Sequence, residues 1–156
     1  MRGKRAGIVA GAAVAAVAIA VSLVSVSAAG PRVTRLTVIE HASTDTVVDL
    51  TTNGDSTGDL LTFHNDVYDA ANATVVGSDQ GECVRIEVGV SWECSWVTTF
   101  STGSITVEGP FLDAGPSVLA VTGGTGAYRE ARGSMRLVAH NESGTEFEFV
   151  FRLLLD

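Results

Sequence analysis

Leu119-Ala120-Val121-Thr122-Gly123-Gly124-Thr125-Gly126-Ala127-Tyr128-Arg129-Glu130-Ala131-Arg132-Gly133 is the stretch that decides the fold class of this chain. An apolar run of β-forming residues ends in two glycines. A compact Thr-Gly turn and an aromatic residue follow, and Gly133 opens another alternating run. Glycine recurs in this manner where the backbone needs positive φ or close approach to a neighbour. A nucleotide-binding loop is excluded: Gly124-Thr125-Gly126-Ala127-Tyr128-Arg129 has arginine where the dinucleotide fingerprint needs its last glycine, and no Gly-Lys-Ser/Thr follows.

Outward from this stretch, alternation of period two is the dominant signal, and no window beyond the N-terminal segment carries a convincing helical period. In the final run Phe147, Phe149, Phe151 and Leu153 point one way and Glu146, Glu148 and Arg152 the other, which is a strand with one buried face. Met135, Leu137 and Ala139 alternate against Ser134, Arg136 and His140, and Ile105 and Val107 against Thr106 and Glu108. The pattern predicts strands near 34–41, 46–51, 59–66, 74–78, 82–88, 91–100, 104–108, 117–122, 134–141 and 145–155, with one or two short ones merging. About eight antiparallel strands separated by Gly, Asn and Asp turns suit an all-β closed barrel or a sandwich.

The N-terminus sets the compartment. Arg2, Lys4 and Arg5 precede an uncharged run over 6–26, and Val26-Ser27-Ala28 places small residues where a signal peptidase reads, so 1–28 is expected to be a secretory signal peptide. The run is also long enough to span a bilayer, which leaves an uncleaved membrane anchor as the alternative. Either way the domain over 31–156 faces the outside. Of the 156 residues 128 remain after cleavage, carrying seven basic and eighteen acidic side chains, a net charge of −11. Nucleic acid and anionic membrane surfaces are therefore not expected partners, since clustered Lys and Arg hold both.

Cys83 and Cys94 in an exported chain pair most simply as a disulfide. With a two-residue turn at Val88-Gly89, Glu87 faces Val90, and Cys83 then faces Cys94 across a hairpin. His41, His64 and His140 show no ligand spacing with the two cysteines, so no metal is expected. No cofactor motif and no nucleophile elbow occurs either.

Three further segments, with the opening stretch, share their order with a known family. Gly58-Asp59-Leu60-Leu61-Thr62-Phe63-His64-Asn65-Asp66-Val67-Tyr68, Gly81-Glu82-Cys83-Val84-Arg85-Ile86-Glu87 and Gly103-Ser104-Ile105-Thr106-Val107-Glu108-Gly109-Pro110-Phe111, together with the opening stretch, resemble the allene oxide cyclase and dirigent protein superfamily. The resemblance tips the fold to a closed barrel and implies a homotrimer.

An eight-stranded barrel is either filled by side chains or holds one small ligand. Candidates to line its interior are Phe63, Trp96, Phe147 and Phe149, with Phe151, Trp92, Phe100, Leu36 and Val38; for any one of them taken singly, core packing is the favoured reading. Glu40 shares a strand face with Leu36 and Val38 and so projects inward or forms an ordinary solvated strand end. The resemblance implies that Glu40, Asn65 and Cys83 match the residues around the substrate in the plant cyclase, with Glu40 stabilising developing positive charge and Asn65 orienting the substrate. Two departures stand against it: the family's second asparagine corresponds to Ala42, and Cys83 is assigned to a disulfide. For the aspartates and arginine of the dirigent branch, the counterparts open here are Asp49, Asp66 and Arg132. The sequence thus predicts a secreted barrel that binds a small hydrophobic molecule and acts on it as a cyclase or isomerase. The alternative is a dirigent-like or lipocalin-like binding protein without turnover.

Overall fold

The computed structural model describes residues 32–50 and 54–155. The expected signal peptide lies outside the described residues. Nine strands occur within them: β1 (Arg32–His41), β2 (Thr46–Val48), β3 (Leu60–Asp69), β4 (Val75–Glu87), β5 (Ser91–Phe100), β6 (Gly103–Leu112), β7 (Ser117–Gly124), β8 (Arg132–Ala139) and β9 (Glu146–Leu155). A single 3-10 turn at Gly126–Tyr128 joins β7 to β8. Gly126 enters it at φ +58, and a Cβ there would collide with the Thr102 carbonyl, which explains a glycine at the centre of the opening stretch.

From β3 onward each strand pairs antiparallel with the next, while β1 pairs with β9 along its whole length and with 66–69 of β3. Eight strands close into a barrel in this way, and β2 is a ninth on the edge of β3. Closure removes the unpaired edges of an open sheet. β1 and β2 follow one another along the same edge of β3, separated by 42–45, where the chain leaves the ladder.

Alternation does what the sequence predicts. Phe149, Phe151 and Leu153 of β9, Met135 and Leu137 of β8, Leu119 and Val121 of β7, and Ile105 and Val107 of β6 turn inward and are buried together. These side chains form the apolar core, and at about 25 cal/mol per Å² of apolar surface their burial is the main source of stability. The opposite half, formed by β3, β4 and β5, contains glycine and polar residues on its inner face.

The short segments that merge are 74–78 and 82–88, which form one strand, β4, because Asp79 and Gly81 lie within the ladder opposite Thr98 and Trp96 instead of turning the chain. One expectation is corrected. The β4–β5 turn spans 88–90, so Glu87 faces Ser91 and not Val90. A bulge at Ile86 absorbs the extra residue, and Cys83 still faces Cys94.

Candidate active site in the barrel cavity

A cavity of about 280 Å³ opens inside the barrel. Its aromatic wall is Phe63 of β3, Trp96 of β5, Phe111 of β6, and Phe147 and Phe149 of β9, with Leu61 and Leu137 between them. The rings touch across the interior: Phe63 lies edge-on to Trp96 at 6.0 Å, Trp96 lies 5.6 Å from Phe149, and Phe111 meets Phe147 at 5.9 Å. All four aromatic candidates, Phe63, Trp96, Phe147 and Phe149, are brought together here. Phe151 and Val38 are core; Leu36 packs against that core, and Phe100 pairs with Tyr128. Trp92 lies under the Arg85 guanidinium, 4.0 Å from its ring centre.

Cys83 and Cys94 are bonded, with Cα atoms 4.0 Å apart, and the bridge itself lines the cavity. Being oxidised and facing the cavity are thus compatible.

The polar side of the wall is acidic. Glu40 and Asp45 line the cavity, Glu40 from the end of β1 and Asp45 from the break between β1 and β2. Asn65 organises both. Its Nδ2 donates to Oε1 of Glu40 and to Oδ1 of Asp45, each at 2.8 Å. Its Oδ1 accepts from the backbone N–H groups of Ser43 and Thr44 and from the Thr44 hydroxyl at 3.0–3.1 Å. Asn65 thereby supplies an acceptor for two backbone N–H groups where the chain leaves the ladder. Burial drives the Glu40 carboxyl up to about 7; the Asn65 hydrogen bond opposes this and the Asp45 charge adds to it.

Asp79 of β4 was not anticipated. It is buried, neither of its oxygens meets a donor at full hydrogen-bond geometry among the described residues although the Asn65 backbone N–H acts on it, and the other neighbours acting on it include Glu40 and Asp45. Burial and then the Glu40 charge push it up to about 9. A proton on Asp79 satisfies this arrangement, since the protonated acid can donate to Glu40 while two adjacent carboxylates could not both stay ionised. The signal was present in the sequence: Asp79 is four residues from Cys83, hence on the same face of a continuous strand.

Arg85, also on that face, escaped notice as well. It is buried beneath the β4–β5 hairpin, pairing with Asp113 and Asp55 at 2.7 Å each. Asp66 and Arg132 are exposed, and Asp49 accepts from the Gly54 N–H away from the cavity.

Residues 33–141 match the allene oxide cyclase family. The chain belongs to that family. Solved structures of the same barrel include a pyocyanin demethylase at 20% identity, covering 76% of this chain and 100% of that one with a TM-score of 0.66. A pterocarpan synthase dirigent protein matches at 18% identity over 81% and 93% of the two chains, TM-score 0.68. An exo-specific intermolecular Diels–Alderase matches at 15% identity over 78% and 98%, TM-score 0.62. At these identities the likeness is one of fold. Glu40, Asn65 and Cys83 lie on three adjoining strands, β1, β3 and β4, and the first two are hydrogen-bonded.

Proposed function

We propose that this protein is an exported barrel that binds a small hydrophobic molecule in its cavity and promotes its cyclisation or isomerisation. The observation that carries this reading is the buried Glu40 carboxyl, held by Asn65 in the wall of an otherwise aromatic cavity. Confinement between Phe63, Trp96, Phe147 and Phe149 restricts a flexible ligand to few conformers, which supplies the entropic share of catalysis. An ionised Glu40 in a low-dielectric wall then stabilises positive charge that develops along the ligand. Asn65 spends its amide on Glu40 and Asp45, so it acts by fixing the carboxylates. The structural neighbours, named as a demethylase, a synthase and a Diels–Alderase, support small-molecule chemistry for such a cavity.

Oxidation of Cys83 favours a second reading, binding without turnover, because it leaves Glu40 as the one ionisable group of the set implied by the family. Mass spectrometry of small molecules co-purifying with the exported protein identifies the ligand. Incubation of that compound with wild type and Glu40→Gln separates the readings: conversion that depends on Glu40 supports the enzyme, and recovery of unchanged compound supports the binder.

The assembly proposed is a homotrimer. Val48 of β2 and Val84 and Ile86 of β4 are exposed apolar residues on the two strands that flank β3, and an interface of closed symmetry would cover them. Light scattering at micromolar concentration should give three times the chain mass; a monomer mass would remove the proposal.

A further inference from the structure

The cavity brings carboxyl groups and aromatic rings together without a counter-ion. Glu40, 6% exposed, and Asp45, which is exposed, both line it, and the buried Asp79 acts on Glu40 from β4. None of the residues lining the cavity is Lys, Arg or His. The basic side chains nearest in sequence are engaged elsewhere: His41 bonds Asn72 and stacks on Tyr68, and Arg85 pairs with Asp55 and Asp113. The Asn65 amide that joins Glu40 to Asp45 is neutral and takes only one oxygen of each, Oε1 and Oδ1. Buried carboxylates are normally paired with a cation, because burial otherwise costs the charged form its hydration. The upward displacement of Glu40 and Asp79, caused first by burial, is the direction an absent counter-charge leaves. The remainder of the wall points the same way. Phe63, Trp96, Phe111, Phe147 and Phe149 line the cavity, and aromatic rings attract cations, most strongly where water is excluded.

We propose that the cavity binds an aromatic organic cation, an aryl or heteroaryl ammonium of about two fused rings, with its positive charge against Glu40 and Asp45. Resting on the cavity-binding reading above, this narrows the ligand to a charge class. The cavity volume of about 280 Å³ sets the size. Asp45 is the group a ligand meets from solvent, since it is exposed and lines the cavity. Carboxylates and phosphates are excluded by the same two acids.

Two probes of one shape test the proposal: N-methylquinolinium, and 1-methylnaphthalene, in which carbon replaces the charged nitrogen. Dissociation constants for wild type and for Glu40→Gln with Asp45→Asn give a ratio of ratios, which cancels the different hydration of the probes. The preference for the cation over the hydrocarbon is expected to fall about tenfold in the double variant, each single change giving a few-fold, while hydrocarbon affinity changes much less. A second readout needs only wild type. The groups facing Glu40 are Asp45, Asn65 of β3, Asp79 of β4 and, across the ladder, Phe147 of β9. A bound cation draws the Glu40 carboxyl down from about 7, so calorimetry at pH 7 in two buffers of different ionisation enthalpy should show a fraction of a proton released with the cation and none with the hydrocarbon. This decides the matter even where the double variant fails to fold. An unchanged preference, a wild type that binds only the hydrocarbon, or no proton release with the cation bound overturns the charge class and leaves cavity binding intact. Failure of both probes to bind the folded wild type overturns the cavity-binding reading and the charge class with it.

Discussion

Asn65 donates through Nδ2 to Oε1 of Glu40 at 2.8 Å, and this bond turns the strand-end carboxyl toward the cavity. Glu40→Gln preserves the shape and removes the charge. Turnover of the identified ligand should fall on the order of a hundredfold, the scale of removing one preorganised electrostatic contact. Binding should change only a few-fold. Because the active form is the anion, wild-type turnover should rise with pH through about 7, where Glu40 loses its proton, and Glu40→Gln should lack that limb. Equal rates for the two proteins would remove the electrostatic role.

Asp79 gives the fold a pH dependence of definite sign. Its folded-state value of about 9 lies above the ordinary 3.8, so the folded state holds the proton more tightly than the unfolded chain. The associated stability is present in full below about pH 4 and is lost as pH rises toward 9. Glu40 acts in the same direction up to about 7. Melting temperature should therefore fall between pH 5 and pH 9. Asp79→Asn should flatten that slope and be the more stable protein above pH 8, by on the order of a few kcal/mol. Parallel slopes for wild type and variant would show that Asp79 does not hold the proton.

Strands with a clean apolar face were legible because burial on one side writes itself into a period of two; β9 and β8 are the clearest cases. β4 was not, since Asp79 and Gly81 carry the composition of a turn while serving inside the barrel. The cavity aromatics were legible as candidates through the same alternation. Asp45 was hidden, because an irregular segment carries no periodicity and its position depends on the side chain of Asn65, twenty residues later. Arg85 reads as a surface cation until Asp55, Asp113 and Trp92 are placed around it.

The Cys83–Cys94 bridge closes a loop of eleven residues' separation, for which chain entropy gives about 3 kcal/mol of stabilisation. Reduction, or the double change Cys83→Ala with Cys94→Ala, should lower the unfolding free energy by about that amount in urea titrations. Loss of two sulfurs from the wall also enlarges the cavity, so ligand affinity should weaken in the double variant. Two free thiols in exported native protein would contradict the bridge.

Gly81 determines whether Trp96 can stand where it does. The two residues face each other across the β4–β5 ladder, and a Cβ on Gly81 would overlap Cβ of Trp96 while approaching its Cα to 2.8 Å and the Ser95 carbonyl oxygen to 2.5 Å. Backbone atoms cannot yield as a flexible side-chain end can, so Gly81→Ala must either spread the two strands or tilt the indole away from Phe63 and Phe149. The expected cost is about 2 kcal/mol or more in unfolding free energy. Ligand affinity should also fall about tenfold, since the tilted ring changes the aromatic wall. Gly123→Ala is the matched control. A Cβ there meets only the end of the Arg132 side chain, at 3.9 Å, so its stability should stay within about 0.5 kcal/mol of wild type. If Gly81→Ala bound ligand as tightly as Gly123→Ala, the wall at Trp96 would have to be slack, and the close packing of β4 on β5 would not be what shapes the cavity.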